Sequence, residues 1–192
     1  MLTEKRQPEP ASVDMDPNAP LDALWSVYPM TLSRLAPGGA ERLVREYYRW
    51  RKTAARATLS RQFPEFMAAK KWGGENAFLA TLCLAEWHIH EVKQEPELPV
   101  HGLERIPLAN DFDWDHARFF FDPGHRVMES DWNLSEIFQD LGGSHSRSPG
   151  KFLVYRHKGT PKVRPLKPSE AELIEALSLG VSLGTIQDRP NG

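Results

Sequence analysis

The sequence predicts an α+β fold: an N-terminal helical bundle followed by a small antiparallel sheet with helices packed against it. Three observations predict it. Through the first half of the chain apolar residues recur with the helical period. After Pro99 that pattern gives way to alternation and short apolar runs bounded by turn residues. A chain of 192 residues with 40% hydrophobic content and six tryptophans is long and apolar enough to bury one sizeable core.

Residues 1–20 are rich in proline, charge and small side chains, which reads as a disordered leader. They contain no apolar h-region, so they are not a secretory signal. The helical domain is expected over 21–96. LDALWSVYPMTLSRL (21–35) reads as one helix opening after Pro20 and ending near Pro37-Gly38-Gly39. The next, 40–59, places Leu43, Tyr47, Trp50 and Ala54 on one face. QFPEFMAAKKW (62–72) reads as a short helix started by Pro64 and broken by Gly73-Gly74. Residues 75–95 carry the stripe Phe78, Leu82, Ala85, Ile89 and Val92, stopped by Pro96.

An α+β domain is expected over 97–187, with 188–192 as a tail. ARFFFDP (117–123) and HRVMES (125–130) read as strands joined at Asp122-Pro123-Gly124. NLSEIFQDL (133–141) is a short helix capped by Asn133, with Glu136 three residues on. GGSHSRSPG (142–150) reads as a flexible loop. KFLVYRH (151–157) and PKVRPL (161–166) form a second hairpin across Lys158-Gly159-Thr160. Ser169 to Glu172 reads as a capping box for a helix ending at Gly180.

LAEWHIHE (84–91) is the densest cluster of chemistry-bearing residues. On a helix, His88 and His90 stand about 160° apart and cannot share a metal, whereas a zinc pair needs ligands one turn apart. Glu86 and His90 do share a side, and Glu86 borders the apolar stripe. The expectation is a structural polar role for both, with Glu86 needing an arginine or backbone donor; Arg156 is the candidate. DFDWDH (111–116) reads as a solvated acidic loop rather than a metal clamp. Cys83, the only cysteine, excludes an internal disulfide and fits an inert core position in a reducing cytoplasm. No phosphate loop, CxxC, GxSxG or HExxH occurs, so neither a catalytic nor a metal set is expected in this chain.

The net charge of −2 gives no bulk attraction to nucleic acid. Charge is nevertheless segregated. Residues 95–140 hold eleven acids against three bases, and 141–169 hold seven bases and no acid. Such blocks either satisfy each other or mark a partner surface. The basic block favours a DNA-binding transcriptional regulator as the alternative function, and the acidic block disfavours it.

The order of WSVYPMTLSRLAPGGAERLVREYY, FPEFM, LATLCLAEWHIHE, FFFDPGHRVMESDWNLSEIF, KFLVYRH and ELIEALSLGVSLGTI resembles the HvfC/BufC family over residues 22–187. Typical members begin with a further helical segment, beside which this sequence looks truncated. The resemblance implies a non-catalytic subunit forming a heterodimer with an MbnB-like TIM-barrel multinuclear iron oxygenase. The pair would bind a precursor peptide by its leader and use dioxygen to convert a core cysteine to oxazolone and thioamide, as in methanobactin biosynthesis. Iron would belong to the partner, and this chain would hold no cofactor. The leader is expected to add as a strand to an edge of the 117–130 or 151–166 hairpin, with Pro123 and Pro161 at hairpin ends leaving the edges open. The residues expected to meet the peptide are Asp111, Asp113, Asp115, Phe119, Phe121, Arg147, Lys151, Val154 and Arg156. A basic leader would choose the three aspartates; an acidic one would choose Arg147, Lys151 and Lys162.

Overall fold

The computed structural model describes residues 19–51, 59–96, 113, 116, 123–139 and 146–187. The first helix is divided: α1 spans Ala19–Trp25 and α2 spans Pro29–Ser33. A single helix over 21–35 fails at Pro29, which has no N–H for the Trp25 carbonyl and whose ring would clash there. The proline instead opens α2 at its first position.

Helix α3, Gly39–Trp50, follows a left-handed Gly38 (φ 70°) and buries Leu43, Val44 and Tyr47. It stops short of residue 59 because Arg51 is extended (φ −63°, ψ 142°). Trp50 completes the expected face but remains 40% exposed, and Ala54 lies outside the described residues.

Helix α4 is Leu59–Ala69, so Pro64 lies inside it rather than at its start. Pro64 cannot donate to the Ser60 carbonyl four residues back. The buried Tyr28 hydroxyl donates to that carbonyl instead. Tertiary structure thus supplies the bond that the proline removes, and the helix continues through it. Around this point Phe63 packs 5.0 Å from Tyr28 and 5.1 Å from Tyr47, ring centre to ring centre.

After a single 3₁₀ turn at Gly74–Asn76, α5 runs Leu79–Gln94. Of its predicted stripe, Phe78, Leu82, Ala85 and Val92 are buried and Ile89 is partly buried.

Strands β1 (His125–Trp132), β2 (Arg147–His157) and β3 (Thr160–Pro165) form an antiparallel sheet in the order β1-β2-β3. Lys158 and Gly159 both take positive φ (50° and 75°), the two-residue turn that matches strand twist. Strand β2 starts earlier than expected. Residues 147–150, read as loop, pair with β1, with Gly150 opposite Ser130 and Arg147 opposite Trp132. The register slips by one between those pairs, and Pro149, with no N–H to pair, lies in the slip. The Ser130 hydroxyl repairs the break by donating to the Trp132 carbonyl and accepting its N–H. The predicted strand at 117–123 falls almost entirely outside the described residues, so the described partner of β1 is β2.

Helix α6, Leu134–Gln139, has the expected cap: Asn133 Oδ1 accepts the Glu136 N–H. Glu136 does not close the box; it accepts from Ser146. Helix α7, Pro168–Ser178, begins before the expected Ser169 cap, because Glu170 accepts the Lys167 N–H and Pro168 takes the first position. Its end is as predicted: Gly180 (φ 72°) donates to Leu177 while Val181 donates to Ala176. A last helix, α8 at Leu183–Gln187, follows.

Met128, Leu134, Ile137, Phe152 and Val154 join the buried residues of α1–α5 in one cluster. The helical half and one face of the sheet therefore share a core. Among the described residues no helix is long and apolar enough to cross a membrane.

Candidate functional site

Helix α5 positions LAEWHIHE between α2 and the sheet. Glu86 is buried, and its carboxylate accepts the N–H of Met30 at 2.7 Å and that of Thr31 at 2.9 Å. These are the second and third residues of α2, whose N–H groups have no acceptor within the helix. Tyr28 at the cap position offers them no side-chain oxygen, so a carboxylate from α5 caps α2 from outside. Burial pushes the Glu86 pKa above the ordinary glutamate range, while the two N–H donors pull it back.

Arg156 is not the partner of Glu86. It donates to the carbonyls of Val92, Glu95 and Pro96 at 3.3, 2.6 and 2.9 Å, so a strand residue caps the C-terminus of α5. Arg126 of β1 adds Glu95 at 2.9 Å and Glu91 at 3.4 Å, and Glu91 also meets His88 Nδ1 at 3.0 Å. Two arginines thus staple α5 to the sheet. His90 stacks on Trp87, ring centres 5.4 Å apart, and burial followed by Lys93 lowers its pKa. Burial and the neighbouring Glu86 raise the Cys83 thiol, which opposes a nucleophilic thiolate. Among the described residues no group of three or more His, Cys, Asp or Glu is placed to hold a metal ion.

The described residues among those expected to meet a peptide are not brought together. Val154 is fully buried on the core face, and Arg156 is engaged in capping; both are corrected to structural positions. Asp111, Asp115, Phe119 and Phe121 lie outside the described residues. Asp113 is exposed and pairs with His116 at 2.7 Å. Arg147 lies 5.3 Å over the Trp132 ring, and Lys151 is bound to Glu175 of α7. Among the described residues of this set, Arg147 and Lys151 remain at an accessible sheet position.

The edges differ from expectation as well. The Leu166 N–H donates to the Lys151 carbonyl at 2.8 Å, which turns the even positions of β3 toward β2. The outward positions are then Pro161, Val163 and Pro165. Two of these three lack an N–H, so the outer edge of β3 is blunted rather than open. The accessible backbone lies elsewhere. Beyond Lys151, residues 147–150 continue along β1, while the chain after Leu166 turns away into α7. An open pocket of ≈ 760 Å³ occupies that corner, between β1, the start of β2 and the first turn of α7. Sequence reasoning missed it, since 147–150 reads as loop. The signal was Pro149-Gly150 directly before an apolar run.

No protein-family model matches the chain, and no curated protein does.

Proposed function

We propose that this chain is a non-catalytic, MbnC-type partner subunit. It forms a heterodimer with an MbnB-like TIM-barrel iron oxygenase in the cytoplasm and presents a precursor peptide to it. The pair uses dioxygen to convert a core cysteine to oxazolone and thioamide, and the partner's side chains hold the iron. What carries the reading is the ordered set of motifs over residues 22–187. The sheet corner beside residues 147–150 supports it, because a bound peptide can extend an incomplete sheet there. Trp25 (37% exposed) and Trp50 (40%) are large apolar side chains left on the surface of the helical half, as an interface requires. Co-expression with the iron protein should give a 1:1 complex by size exclusion, with iron present only when the partner is. A well-dispersed monomer that ignores the iron protein in a pull-down contradicts the proposal.

One observation favours the DNA-binding alternative. Arg42, Arg45 and Arg49 are exposed on α3 and, at 100° per residue, fall within about 60° of arc. Duplex binding whose affinity falls steeply with salt, and falls again in an Arg45→Gln/Arg49→Gln variant, would establish that reading.

A further inference from the structure

We propose that the pocket at the corner of the sheet receives a cationic side chain, lysine or arginine, from an extended peptide laid beside residues 147–150. The inference rests on the peptide-presenting role for the source of that peptide. It adds the chemistry that this corner selects.

The backbone argument comes first. Strand β3 ends its pairing with the bond from Leu166 to Lys151, after which Lys167 and Pro168 carry the chain into α7. Residues 147–150 run on against β1, and among the described residues no strand lies on their other side. All four are exposed, so among the described residues no segment has to move for a strand to lie beside them. Pro149 removes one donor from this stretch, so main-chain bonding is sparse and side-chain recognition must supply the rest.

The pocket supplies it. Its ≈ 760 Å³ accommodates a long side chain together with the backbone that bears it. Glu129, Asp131 and Glu172 line it, against a single cation, Lys151. The Lys151 ammonium is bound to Glu175 and lies 3.9 Å from Glu129, so it is already neutralised by its neighbours. Among the described residues Asp131 and Glu172 enter no ion pair. The lining therefore carries more negative charge than positive. A cationic group fits that field, and an anionic one is repelled. Arg147 is not part of the lining; its guanidinium lies over the Trp132 ring.

The test uses the full chain and three fluorescein-labelled peptides of sequence Thr-Val-Xaa-Val-Thr-Val, with Xaa lysine, norleucine or glutamate. Binding is read by fluorescence anisotropy at about 20 mM and about 300 mM salt. The lysine peptide should bind about 3–10-fold more tightly than the norleucine peptide at low salt, and the difference should largely vanish at high salt. The double variant Asp131→Asn/Glu172→Gln should erase the preference, while Glu41→Gln on α3 should leave it intact. Asp131→Lys/Glu172→Lys should reverse it toward the glutamate peptide, a readout that a folding defect cannot imitate. Equal binding of lysine and norleucine peptides, failure of all three to bind, or a preference that survives the double variant would each overturn the assignment. The partner reading is scored separately, by whether the double variant still co-purifies with the iron protein. A lysine preference without co-purification of either form sinks that reading and leaves the pocket standing.

Discussion

At the scale of single residues, Glu86 shows how a polar group becomes structural. Its sequence neighbourhood, one polar position beside an apolar stripe, makes the need for donors legible. The identity of the donors is not, because it depends on where α2 meets α5, 55 residues away in sequence for Thr31. Replacing Glu86 by alanine strands two α2 N–H groups, so a loss of about 2–4 kcal/mol is expected in denaturant titration. The pH dependence follows from the direction of its shift. A folded pKa above the unfolded one means that the folded state keeps the proton to higher pH. Stability from this group is therefore full below the ordinary glutamate pKa and declines as pH rises through the raised value. Glu86→Gln should remove that decline, and melting curves from about pH 4 to about pH 8 read it directly. Tyr28→Phe should cost about 1 kcal/mol, because the Ser60 carbonyl then loses both its possible helical donor and its replacement.

At the scale of elements, the sequence located helices and strands better than it located their ends. The stripe of α5, the Lys158-Gly159 turn and the Gly180 stop were legible, because each follows from a local rule: periodicity, positive φ, or a left-handed cap. Pro29 and Pro64 depart from what their local sequence predicts for opposite reasons. One breaks a helix whose periodicity runs straight through it; the other lies inside a helix because a distant hydroxyl replaces its bond. Strand β2 is longer than its local sequence predicts because residues 147–150 pair across a bulge that no local pattern announces. The prolines of β3 make a prediction at this scale. If Pro161 and Pro165 blunt the outer edge, Pro161→Thr/Pro165→Thr restores two outward N–H groups beside Val163. The double variant should self-associate at concentrations where the parent does not, detectable by size exclusion with light scattering. Unchanged elution would mean that the edge is already protected by something other than proline.

At the scale of the whole molecule, the sequence divides into a helical half and a sheet half, yet the buried side chains do not respect that division. Met128, Phe152 and Val154 of the sheet belong to the same cluster as Leu82, Ala85 and Val92 of α5, and Arg126 and Arg156 tie the end of α5 to the strands. A core that runs through both halves couples their unfolding, since neither can lose α5 without exposing its own apolar face. Leu82 is fully buried in that shared cluster. Leu82→Ala should cost about 2–5 kcal/mol. It should also shift two probes together: amide exchange of α3–α5 in the helical half and amide exchange of the β2–β3 hairpin. Two resolved transitions, with the hairpin keeping its protection while the helical half opens, would instead mean that the halves are independent units and that the shared core contributes little to their coupling.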